Sequence, residues 1–207
     1  MRLRLFRVAT IIVDGFTMAS FPLFFDLTDK KVLVVGGGKI ARDKLEKLVQ
    51  FTKEITVITP EMSLETHTLI GEHCLTLYHR PYRTGDAEGF DVVVIAADGE
   101  EVHRSIYDET RHVRTWVNSA LGAQYSDFFF PSFVRQDDLT VAFSTDGASP
   151  AFARHLRRWF AHVLPEETGD FLRHLRRLRM ELPRGKERMA KFDATVSEFF
   201  DKHFHHS

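Results

Sequence analysis

The sequence predicts an α/β fold: a doubly wound parallel sheet, then a short β-hairpin insert, then a helical C-terminal region. Three observations predict it. The stretch Lys31-Val-Leu-Val-Val-Gly-Gly-Gly-Lys-Ile-Ala41 reads as an apolar strand running into three glycines and then a helix. Apolar strands and amphipathic helices alternate as far as Asn118, the order that builds a parallel sheet with helices on both faces. Beyond Ser119 the pattern changes to two adjacent strands and three helices. Together these are the marks of a Rossmann-type domain with further elements appended.

The elements follow in order. Val32–Val35 is a buried strand, and 40–51 is a helix with Ile40, Leu45, Leu48 and Val49 at helical spacing. Ile55–Thr59 is a second strand, ended by Pro60, and 61–72 is a helix. Cys74–Tyr78 alternates as a third strand, and Asp91–Ala97 is apolar throughout, as a central parallel strand should be. A helix over 100–112 and a strand over Thr115–Asn118 close the first domain. Phe128–Arg135 and Leu139–Thr145 read as strands of a hairpin turning at Gln136-Asp137-Asp138. Ser149-Pro150 reads as N-cap and first position of a helix over 150–164. Helices over 167–182 and 186–203 follow. The expected domains are 18–127, 128–148 and 149–207, with 1–17 as a disordered extension.

The glycines carry chemistry. Gly36, Gly38 and Ala41 fit the G-x-G-x-x-G/A spacing of a dinucleotide-binding turn. Gly36 permits the tight turn, Gly38 lets the backbone approach a pyrophosphate, and Ala41 lets the helix pack close to the strand. The helix N-terminus then offers free N–H groups and a partial positive charge.

Composition narrows the class. The chain has 207 residues, 43% hydrophobic and 28% charged, with a net charge of −1. That balance suits a globular protein and gives no global basic field for nucleic acid. Residues 150–188 are locally basic, with ten Lys or Arg against five Asp or Glu. No stretch reaches the roughly 20 apolar residues of a membrane span, and Asp14-Gly15 interrupts the one signal-like run. One cysteine, Cys74, excludes an internal disulfide and fits a reducing, cytoplasmic setting. Its place at the head of an apolar run reads as a buried structural thiol. No residues show the spacing of a zinc site, and His203, His205 and His206 form a terminal cluster that reads as a solvated tail or as a divalent-metal site.

Four segments resemble the siroheme-synthase N-terminal family, the NAD-dependent precorrin-2 dehydrogenases. Phe21-Pro-Leu-Phe-Phe-Asp-Leu27 resembles that family's opening strand. Val34-Val-Gly-Gly-Gly-Lys-Ile-Ala41 with Lys44 resembles its nucleotide turn. Asn118 with Phe129-Phe-Pro-Ser132 resembles its substrate-side loop, and Ser144-Thr-Asp-Gly-Ala-Ser-Pro-Ala-Phe-Ala-Arg154 its entry to the helical domain. The resemblance implies oxidation of precorrin-2 to sirohydrochlorin with NAD as cofactor, and in some members insertion of ferrous iron. It also implies a homodimer in which the hairpin is the dimerisation insert. A tetrapyrrole bearing many carboxylates would suit Arg154, Arg157, Arg158, Arg173, Arg176 and Arg177, unless these simply pair with neighbouring acids.

By the same register the cofactor would be held at Gly36, Gly37, Gly38, Lys39, Ile40, Pro60, Glu61 and Asp98. Glu61 is the acid at the ribose-binding distance and would favour NAD over NADP; it reads equally well as a first-turn helix residue. The family's catalytic aspartate falls three residues past Asn118, where this chain has Leu121. The loop length matches, so a shifted register does not explain it. Either Asp127, further along the loop, is the catalytic acid–base group, or the chain is a weakened or repurposed homologue.

Overall fold

A computed structural model describes residues 20–204. The expected extension at 1–17, and His205 and His206, lie outside the described residues. The chain forms two compact units that divide between Phe130 and Pro131.

The first unit contains five strands: β1 (Val32–Val35), β2 (Ile55–Ile58), β3 (Thr76–Tyr78), β4 (Val92–Ile95) and β5 (Trp116–Ser119). They pair in parallel in the order β3-β2-β1-β4-β5. Three helices connect them: α1 (Lys39–Leu48), α2 (Leu64–Glu72) and α3 (Glu100–Thr110). Every residue of β1 and β4 is buried, because both faces of the sheet are covered. One face packs Val32, Val34, Val57, Val92 and Val94 against Ala41, Leu45 and Leu48 of α1 and Ile70 of α2. The other packs Leu33, Val35, Val93, Ile95 and Val117 against Ile106 of α3. This is the doubly wound Rossmann-type sheet expected. Its strand order reverses between β1 and β4, where such sheets bind ligands at the carboxyl ends of the strands.

Several local expectations are corrected. Phe21–Leu27 forms no strand, and Phe21, Leu23 and Phe24 are exposed. The helix expected from residue 61 starts at Leu64, because the Ser63 side chain accepts the Thr66 N–H and caps it there. Cys74 is exposed rather than buried. It sits at φ +53° in the turn that closes α2, its N–H donating to the Gly71 carbonyl, so β3 begins only at Thr76. After β5 a single 3-10 turn over Ala123–Tyr125 appears that no periodicity announces.

The second unit pairs β6 (Ser132–Gln136) with β7 (Leu139–Phe143) as an antiparallel hairpin. Its two-residue turn is Asp137-Asp138, with Asp137 at φ +50°. Helices α4 (Pro150–Val163), α5 (Thr168–Glu181) and α6 (Lys186–Phe204) follow. Ser149 caps α4 through the Phe152 N–H, with Pro150 in its first turn, as its sequence dictates. Phe143 meets Phe160 edge-on at 5.8 Å, and Phe171 stacks on Phe199 at 4.0 Å. The hairpin therefore belongs with the helices rather than standing apart at 128–148. Phe128 and Phe130 pack against the sheet of the first unit instead.

Candidate nucleotide site

Three loops meet at the carboxyl ends of β1, β2 and β4. Gly36 stands at φ +121°, a region where a side chain is strained. A Cβ there would also collide with the Ala96 carbonyl at the end of β4, coming 2.6 Å from its carbon. A Cβ on Gly37 would run into the Glu61 carbonyl and lie 2.6 Å from the Met62 Cβ. Gly37 in turn accepts the Ser63 N–H at 3.1 Å. The first two glycines thus exist so that β4 and the β2 loop can close on the turn.

Gly38 differs. Its backbone is extended at φ −81°, and a Cβ there would meet nothing within 4 Å. It is the N-cap of α1, with no side-chain cap and no acid in the first turn. By contrast α2 has Ser63 and Glu65 at its start, and α4 has Ser149. The α1 terminus therefore keeps its amide donors and positive end for an incoming anion, with open space in front of Gly38. Ala41 is fully buried, as close packing of α1 on the sheet requires. The residues present fit a dinucleotide pyrophosphate.

Lys39, Ile40, Pro60, Glu61 and Asp98 are exposed. Glu61 precedes the Ser63 cap, so it is a loop residue and not part of the first turn of α2. The Thr59 hydroxyl donates to the Glu61 carbonyl and fixes that loop beside Gly37. Asp98 lies between the end of β4 and Gly99, which precedes α3 at φ +86°.

His103, unremarked in the sequence, organises the next part of the site. It is fully buried on α3, on the same face as Ile106 and Thr110. Its Nε2 donates to the Ala97 carbonyl at 2.8 Å. A carbonyl only accepts, so that nitrogen holds the proton, and in the neutral ring Nδ1 accepts from the Ser119 hydroxyl at 2.7 Å. Ser119 Oγ also accepts the Leu121 N–H at 3.1 Å. A histidine spaced three and seven residues from two buried positions was the available signal.

Beyond β5, Asn118 is 2% exposed and its Nδ2 donates to the Phe128 carbonyl at 2.8 Å. Its Oδ1 is buried with no hydrogen-bond partner among the described residues. An acceptor left unpaired inside a protein is costly, and it marks a place where a ligand N–H would be welcome. Leu121 is 46% exposed. Asp127 sits elsewhere: both its oxygens accept from Arg111 at 2.8 Å, and one also accepts the Val117 N–H at 2.9 Å. That carboxylate is engaged in holding the loop to α3 and β5. Lys44 of α1 lies 4.2 Å above the Phe130 ring, and burial there holds its amine down at about 8.

The basic helices divide. Arg173 bridges Asp137 and Asp170, and Arg176 pairs with Asp138, so these two serve the hairpin. Arg158 contacts His155. Arg154, Arg157 and Arg177 are exposed. His203 lies beside Glu167 and the Phe199 ring.

A family model described as "Putative NAD(P)-binding" matches residues 23–132. A siroheme synthase of Psychrobacter cryohalolentis is 32% identical over 152 residues, covering 73% of this chain and 29% of the relative. A siroheme synthase of Methylococcus capsulatus is 30% identical over 183 residues, covering 86% of this chain and 39% of the relative. The chain thus spans about a third of the length of the curated relatives it matches. Among solved structures, one titled "SirC, precorrin-2 dehydrogenase" superposes with a TM-score of 0.73 at 23% identity, covering 83% of this chain and 86% of that one. That likeness is one of fold. Among the described residues no helix is long and apolar enough to cross a membrane.

Proposed function

The chain belongs to the NAD(P)-binding family, and we propose that it oxidises precorrin-2 to sirohydrochlorin with NAD, a step of siroheme biosynthesis. One observation carries the reading: an intact, uncapped glycine turn at the strand-order reversal of a chain whose relatives are siroheme synthases. NAD supplies the hydride acceptor when bound. The substrate loses a hydride and a proton, and NADH and that proton are the other products.

The chain's own residues take up the remaining work. Gly36 and Gly37 set the turn, and the α1 amides at Gly38, Lys39 and Ile40 take the pyrophosphate. Glu61, with Pro60, is the acid we assign to the ribose hydroxyls, where it would repel the extra phosphate of NADP. Asp98 borders the other end of the cofactor. Asn118 offers its unpaired Oδ1 to an N–H of the bound ligands. At Leu121 an apolar side chain stands where the resemblance calls for a proton acceptor.

That leucine favours a second reading, a catalytically weakened homologue that carries tetrapyrrole or regulates a partner. An anaerobic assay with precorrin-2 and NAD, following NADH, separates the two. The dehydrogenase reading expects slow but measurable turnover, and a gain of at least about tenfold in Leu121→Asp, a modest share of the usual acid–base contribution. No turnover in either protein, with tetrapyrrole still bound, would establish the carrier.

The remaining parts of the reading rest on the resemblance. We take the protein to be a cytoplasmic homodimer. The aromatic hairpin argues for this less than its sequence implies, since Phe128 and Phe130 already pack on the sheet. Sedimentation at micromolar concentration showing a monomer of 23.9 kDa would refute the dimer.

A further inference from the structure

We propose that the turn joining α5 to α6 binds a small, multiply charged organic anion. Its carboxylate or phosphate oxygens would lie on Arg179, Arg184 and Arg188, and its apolar body against Phe192 and Met189. These residues, with Asp193, line a cavity of about 570 Å³ within the helical unit. The cavity shares no residue with the nucleotide turn.

Arginines one and two turns earlier on α5 give the contrast. Arg173 and Arg176 are satisfied by Asp137, Asp170 and Asp138. Arg179, Arg184 and Arg188 have no ion pair among the described residues, although Glu181, Glu187 and Asp193 are close in sequence. Three guanidinium groups against one carboxylate leave the cavity with two surplus positive charges.

Two of the three are already positioned. Arg188 Nη1 donates to the Arg179 and Leu182 carbonyls at the end of α5, at 3.4 and 3.3 Å. That fixes the group at a helix C-terminus and leaves its other N–H donors available. Arg179 sits 5.8 Å from the Phe192 ring centroid. Met189 is exposed beside them, giving the cavity an apolar rim. A planar guanidinium fork matches carboxylate and phosphate oxygens, while an aromatic and a thioether suit a flat organic body.

The test is calorimetric titration of the full chain, with NAD present throughout, using benzene-1,2,4-tricarboxylate, phenyl phosphate and citrate. The expected result is saturable binding of at least one aromatic anion. The double variant R179Q/R184Q should weaken it at least about tenfold, the loss of charge-assisted hydrogen bonds. Phe192→Leu should weaken the aromatic probes more than citrate. Arg188 is left intact because it closes α5. No saturable binding by the wild type, or equal binding by a double variant of unchanged melting temperature, overturns the proposal. A single Arg184→Gln variant, whose side chain has no hydrogen bond or ion pair among the described residues, keeps the test valid should the double variant melt early. Precorrin-2 is absent from the experiment, so its result is independent of the dehydrogenase reading.

Discussion

The two kinds of glycine in the turn should fail in opposite ways. Gly36→Ala puts a Cβ at φ +121° and into the Ala96 carbonyl. The backbone strain costs about 1–3 kcal/mol and the overpacking about as much again, so about 2–6 kcal/mol in total. For a chain of this size that lowers the melting temperature by about 4–24 °C. Gly38→Val adds a larger side chain but into open space, on extended backbone any residue adopts. Its cost to folding is confined to a poorer helix cap, about 1 kcal/mol. Its methyls would occupy the approach to the α1 amides, removing one or two hydrogen bonds to a charged phosphate at about 1.5–3 kcal/mol each. NADH affinity should fall at least about tenfold. Fluorescence titration with NADH and thermal melts of both variants read the two quantities separately. Wild-type affinity in Gly38→Val would refute the placement of the pyrophosphate. A melt as low as that of Gly36→Ala would refute the claim that the space is open.

Other perturbations test the loops around the turn. Asp127→Asn breaks the paired contact with Arg111 and should lower the melting temperature by about 2–12 °C, from about 1–3 kcal/mol, while leaving NADH affinity unchanged. If it instead abolished turnover at an unchanged melting temperature, Asp127 would be the proton acceptor after all. His103→Leu strands the Ala97 carbonyl and the Ser119 hydroxyl in the interior, a loss of about 2–5 kcal/mol visible in a denaturant melt. Lys44 has its pH dependence fixed by sign. Between about 8 and its ordinary 10.5 the unfolded chain holds a proton there that the folded chain lacks, so stability rises with pH across that window. Wild type should gain stability relative to Lys44→Met over that range, and parallel curves would show that the amine is not desolvated.

The sheet was legible because both of its faces are buried. Val32–Val35 and Val92–Ile95 read as unbroken apolar runs, and only a central parallel strand needs that. Helix starts were legible where a side chain caps them, as at Ser149, and misread where the cap lay inside the expected helix, as at Ser63. Cys74 misled because alternation cannot show that a helix must first turn back through a left-handed residue. In the site, the glycine roles could be written down in advance, but not their division into two that admit neighbours and one that faces open space. That division depends on Ala96 and Glu61, which are far from the turn in sequence. His103 was hidden for the same reason, since its partners lie on two other loops.

Those partners tie the two halves of the candidate site together. Ala97 lies two residues past β4, next to the Ala96 carbonyl that closes on Gly36, and Ser119 ends β5, which leads to Leu121. The chain Ala97 carbonyl, His103 ring, Ser119 hydroxyl, Leu121 N–H runs from one loop to the other through direct hydrogen bonds. Position 121 therefore has its backbone set by groups that do not depend on its side chain. The rest of its loop is held independently as well. Tyr125 donates to Glu100, Ser126 accepts the Ser119 N–H, and Asp127 anchors to Arg111. A leucine can occupy such a position, or an aspartate, with little consequence for the fold. The loop would thus present a carboxylate at position 121 on the same backbone that now presents an apolar side chain.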